Sequence, residues 1–141
     1  MRALLDVSTL IALTDEDHVR HGDVVSWWRS NNRSGWASCG LTQNGLVRIL
    51  SQPGYANPVT IGTAVELLRR LVATTDHAFW HQVSLIDDMV IDTTRLLGHR
   101  QITDVTLLGT AVVNGGRFVT LDARITASAV KRATPDSLVV L

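Results

Sequence analysis

Cysteine, lysine, net charge and long apolar runs are all scarce or missing in this 141-residue chain. The single cysteine, Cys39, excludes an internal disulfide and fits a reducing cytosol. Lys131 is the one lysine beside twelve arginines, and the cations are balanced by acids to a formal net charge of zero. No global field therefore draws the protein to nucleic acid or membrane, and any RNA binding must be local and use arginine. No stretch reaches the roughly eighteen consecutive apolar residues of a membrane helix. Met1-Arg2 precedes an apolar run that Asp6 breaks too early for a signal peptide. The expectation is a soluble, cytoplasmic protein without repeats or linkers, a single domain over residues 1–141. Its 45% apolar content suffices for a core of its own.

What is present is organised around an αβ hairpin, Thr103 to Asp122, reading TDVTLLGTAVVNGGRFVTLD. Thr103 suits a helix N-cap, and Asp104 then lies in the first turn, where the helix dipole favours an anion. Val105, Leu107, Leu108, Ala111 and Val112 give the helix an apolar face, and Gly115-Gly116 stop it. Arg117 to Leu121 is a short β-rich run ending at Asp122. About ten helical residues at about 1.5 Å each rise about 15 Å. A five-residue strand at about 3.3 Å per residue returns about 16 Å, so Asp122 lands near Asp104.

At the other end, Arg2 to Val7 reads as a buried parallel strand carrying Asp6 at its exit, followed by a brief helix from Thr9 to Leu13. Between the two ends the sequence predicts helices over His18–Asn31, Thr42–Leu50 and Thr60–Ala73, the last capped by Thr60. Strands are expected at Gly35–Cys39, weakly at Ala78–Val83, and at Ser137–Leu141. Ser84–Met89 reads as a short helical turn whose Asp87-Asp88 pair is a solvated face. His18 and His21 share a helix face but lack a third ligand, which favours packing or partner contact over a metal. The adjacent Trp27 and Trp28 diverge by about 100°, leaving one of them for a partner. Alternating strands and helices argue an α/β fold with a mainly parallel sheet flanked by helices on both faces.

The carboxyl edge of that sheet would carry Asp6, Asp104 and Asp122, with Ser8 and Thr120 near enough in sequence to assist. Carboxylates about 4–5 Å apart repel by roughly 3–4 kcal/mol at an effective dielectric near 20. Such a cluster is kept only where some acids are protonated or a cation lies between them. Oxygen donors suit Mg²⁺ or Mn²⁺, and the chemistry best matched is phosphodiester hydrolysis.

LLDVSTLIAL, TQNGLVRIL, GHRQITDVTLLGTAV and GGRFVTLD, in this order and spacing, resemble a PIN-domain ribonuclease. More closely they resemble VapC-type toxins of bacterial toxin–antitoxin pairs, in the branch that carries an early HxxH-and-tryptophan segment, here HVRHGDVVSWW. The resemblance covers nearly the whole chain. It implies a Mg²⁺- or Mn²⁺-dependent endoribonuclease, a homodimer, and inhibition by a small cognate antitoxin. By position, Asp6 and Asp104 match the family's principal metal ligands and Asp122 its last acid. Gln43 stands where members of the family commonly carry a glutamate. Its amide can accept a hydrogen bond but brings no charge, which leaves a rival expectation: a weakly active PIN fold acting as an RNA- or protein-binding module. A haloacid-dehalogenase-type phosphatase would need an aspartate where Ser8 stands, and a receiver domain a better-placed lysine than Lys131.

Overall fold

Apolar residues alternate between the two faces of one sheet, and each face meets a different set of helices. The strands are β1 (Ala3–Leu5), β2 (Trp36–Ser38), β3 (His77–Phe79), β4 (Arg117–Thr120) and β5 (Leu138–Val140). They lie in the order β3-β2-β1-β4-β5 with every pairing parallel in the computed structural model, which describes residues 1–141. The helices are α1 (Val7–Thr14), α2 (His21–Asn31), α3 (Gly40–Leu50), α4 (Ile61–Thr74) and α5 (Ile102–Val113).

Ala3, Leu5, Trp36 and Val119 point to one face, where they pack with Leu10 of α1, Leu46 of α3 and Leu68 of α4. Leu4, Ala37 and Phe118 point to the other, against Val105, Leu107, Leu108 and Ala111 of α5. The period of two along each strand thus fills both layers, and the continuous apolar run in β1 reflects burial on both sides. The expected doubly covered α/β architecture is what forms.

Two glycines set the tight return from α5 to β4. Gly115 has φ +66°, a left-handed conformation that side chains disfavour. At Gly116 a Cβ would stand 2.5 Å from the Trp80 ring and 2.6 Å from the Arg2 carbonyl oxygen. Only a residue without a side chain lets β4 enter beside β1.

Several local expectations need correction. Thr103 is not the cap of α5: a 3-10 turn over His99–Gln101 runs straight into the helix, so α5 starts at Ile102 and Thr103 is already inside its first turn. Asp104 keeps its first-turn place. β1 ends at Leu5, and α1 begins at Val7 rather than Thr9, because Asp6 accepts the Val7 N–H and caps the helix. α2 begins at His21 and not His18, whose ring nitrogen accepts from Arg20 N and holds a turn. α3 starts two residues before Thr42, and Thr42 instead forms a reciprocal cap with Cys39.

β3 lies at His77–Phe79 instead of Ala78–Val83, since its ladder ends where β2 ends. Ser84–Met89 forms turns and no helix, with Asp87 Oδ1 accepting from Met89 N. Neither Trp27 nor Trp28 is left exposed: Arg117 lies over the Trp27 ring, and Trp28 packs edge-on against Trp36. Thr60 does cap α4, as the sequence predicts, and an exposed Glu66–Arg70 ion pair forms along the helix. No helix is long and apolar enough to cross a membrane.

Candidate active site

From β1 the chain builds outward through β2 to β3, then crosses back to place β4 and β5 on the other side. The reversal opens a crevice at the carboxyl ends of β1 and β4, where open α/β sheets bind ligands. Leu5 pairs with Val119, so Asp6 and Thr120 emerge side by side at this crevice.

Asp6 is the hub of a short polar network. Its Oδ1 accepts the Val7 N–H at 2.7 Å, and its Oδ2 accepts the Ser8 and Thr120 hydroxyls, both at 2.8 Å. Thr120 Oγ1 in turn accepts from Asp122 N at 3.1 Å, and Ser8 Oγ from Leu121 N at 3.4 Å. One carboxylate thereby ties β1 and α1 to the end of β4. The same side chain caps α1 and stands at the edge of the sheet.

Asp104 is half-buried and has no such donors. Burial above all, then the charges of Asp6 and Asp122, push its carboxyl from 3.8 up to about 6, against an opposing pull from Arg124. Asp6 and Asp122 are therefore each within electrostatic reach of Asp104. Asp122 behaves oppositely: Arg124 holds its carboxyl below the ordinary value. Acids driven apart in this way are the pattern of sites that move protons near neutral pH. No three acidic, histidine or cysteine side chains converge into a ready-made metal cage.

A cavity of about 300 Å³ opens here, lined by His99, Arg100, Gln101, Asp104, Asp122 and Arg124 among others. Gln101 accepts from Leu97 N at 2.8 Å within this lining and donates to Thr126 Oγ1 behind it at 2.6 Å. Sequence reasoning treated GHRQ as a connecting loop and passed over Arg124. The available signal was spacing, since Arg124 sits two residues after an edge acid and can fold back on it. Gln43, the candidate helper to the acids, has its amide engaged at the end of β2. Its Nε2 donates to Ser38 Oγ at 2.9 Å, and that hydroxyl lies 2.8 Å from His77 Nε2. Burial, and next the Arg2 charge, lower the His77 value.

The chain is 48% identical over 142 residues to ribonuclease VapC44 of Mycobacterium tuberculosis, covering 100% of both chains. To ribonuclease VapC38 of the same organism it is 38% identical, covering 99% of each. The chain belongs to the VapC ribonuclease family. No protein-family model matches it. Among solved structures it resembles M. tuberculosis VapC20, described as a sarcin–ricin-loop-cleaving toxin, with a TM-score of 0.62 and 14% identity over 94% of this chain and 99% of that one. At that identity the likeness speaks for the VapC fold alone. The full-length match to VapC44 spans both ends of the chain that build the acidic crevice.

Proposed function

We propose that this VapC-family chain is the toxin of a toxin–antitoxin pair and hydrolyses RNA phosphodiester bonds with the help of Mg²⁺ or Mn²⁺. The observation that carries the reading is that Asp104 and Asp122 line one cavity at the edge where Asp6 follows β1, with burial and the charges of Asp6 and Asp122 pushing the Asp104 carboxyl up to about 6. Membership of a ribonuclease family supports the substrate class.

The donor set fits a hard divalent cation. It offers oxygen only, and the repulsion that raises Asp104 is what a cation relieves. The lack of a closed three-residue cage accords with Mg²⁺, which keeps several waters and uses one or two carboxylates. Asp6, Asp104 and Asp122 would hold it, in part through its bound waters. Such an ion polarises a phosphate and lowers the pKa of a coordinated water. The chain's own share is positional: Ser8 and Thr120 fix the Asp6 carboxylate, and Thr120 also anchors the backbone before Asp122. Gln43 adds no charge and is engaged by Ser38, which favours the rival reading of a weakly active binding module.

The toxin is further proposed to pair with a second copy of itself and with a small cognate antitoxin. The support is apolar surface left in water, notably Ile61 at 65% exposure on α4. Sequencing of RNA 5′ ends after induced expression tests the central proposal. New ends at defined positions, absent with Asp6→Ala, are expected; an unchanged set of ends favours the binding module.

A further inference from the structure

A chain with no net charge meets a difficulty at this crevice. A polyanionic strand approaching Asp6, Asp104 and Asp122 is repelled unless cationic groups stand beside them. Arg100 and Arg124 are the arginines that line the cavity, and both are exposed.

Arg124 is held in an unusual way for an exposed arginine. Its Nε donates to Asp122 Oδ1 and its Nη2 to Oδ2, both at 3.0 Å, while its own backbone N–H donates to Oδ1 at 2.9 Å. The fork fixes the plane of a side chain that is otherwise 83% exposed. A guanidinium has five N–H donors, and this fork uses two of them. The other three point away from Asp122, and planar donor pairs of this kind match phosphate oxygens.

We infer that Arg124, oriented by Asp122 and assisted by Arg100, is a positioning residue that holds a backbone phosphate of the RNA strand beside the acidic edge. The inference rests on the ribonuclease reading above and deepens it by naming the group that seats the substrate. A cavity of about 300 Å³ admits little more than one nucleotide unit, so the contact is to one phosphate of a single strand rather than to a duplex. Asp122 keeps one lone pair on Oδ2 unused, so orienting Arg124 does not exclude a water-mediated role toward a cation.

The test measures binding of a short single-stranded RNA across a range of salt concentrations, with Asp104→Asn as the common background to suppress cleavage. Arg124→Gln should lower the slope of log affinity against log salt by about 0.7, the loss of one phosphate contact, and weaken binding several-fold at about 0.1 M salt. Arg124→Lys should restore much of the slope, because it returns the charge. Arg69→Gln, on the outer side of α4, should leave the slope unchanged. Equal slopes for Arg124→Gln and its parent, with both folded and binding, would overturn this inference and leave the ribonuclease reading standing. A wild-type chain that neither binds nor cleaves RNA would overturn both.

Discussion

Replacing Asp104 by asparagine should stabilise the metal-free protein while abolishing its activity. The interval between 3.8 and about 6 for this carboxyl corresponds to about 3 kcal/mol, at about 1.36 kcal/mol per factor of ten. Asp104 retains some contact with water, and solvent screening reduces the figure to about 1–2 kcal/mol. The sign follows from the order of the two states. The folded value lies above the unfolded one, so ionisation costs more in the fold. The penalty is absent below about pH 3.8, grows as pH rises, and is nearly complete above about pH 6. Asparagine never ionises and escapes it. In thermal unfolding with a chelator at about pH 7.5, Asp104→Asn should melt roughly 3–7 °C above the parent. At about pH 4 the advantage should shrink to roughly one degree. Added Mn²⁺ should raise the melting temperature of the parent more than that of the variant. An equal effect at both pH values would refute the reasoning. So would a lower melting temperature near neutrality, which would make Asp104 a stabilising first-turn acid.

The other perturbations act through different contacts. Asp6→Ala removes the α1 cap and the acceptor for Ser8 and Thr120; it should cost about 1–2 kcal/mol in urea unfolding and eliminate cleavage. Gly116→Ala places a methyl against Trp80 and the Arg2 carbonyl, and a loss of about 1–3 kcal/mol is expected; an unchanged urea midpoint would mean that β4 can shift outward. Gln43→Glu adds a fourth carboxylate and removes the donor to Ser38, so the apo protein should lose about 1 kcal/mol. If the new carboxylate reaches the acidic edge, activity at low Mg²⁺ should rise about tenfold, or about 1.4 kcal/mol of barrier, and Mn²⁺ should stabilise this variant more than its parent. A metal response equal to the parent's would mean that position 43 faces Ser38 and His77 only.

The parts of the fold that were legible in the sequence are those governed by periodicity and chain length. The short apolar runs in RALLDV and GRFVTLD read as two buried parallel strands, and helix rise set against strand rise brought Asp122 back to Asp104. What was missed depends on tertiary partners. The end of β3 is set by where β2 stops, and the start of α5 by a 3-10 turn whose Gln101 is pinned to Thr126. Trp27 and Trp28 could be placed on diverging faces, but not under Arg117 and against Trp36, which lie far away in sequence. The acids were visible because carboxylates at strand and helix ends are informative by themselves. The arginine beside them was not, since an exposed Arg124 acquires meaning only when its fork on Asp122 is seen.

The account turns on whether the acidic edge of Asp6, Asp104 and Asp122 hydrolyses RNA with a divalent cation. The most direct measurement incubates the purified chain with structured RNA in Mn²⁺ or in chelator, beside Asp6→Ala, and maps the 5′ ends. Cleavage at defined positions in Mn²⁺ alone, absent in chelator and in the variant, is the predicted result. Cleavage that persists in chelator or in Asp6→Ala, or a folded Mn²⁺-treated chain that leaves RNA intact, would contradict it.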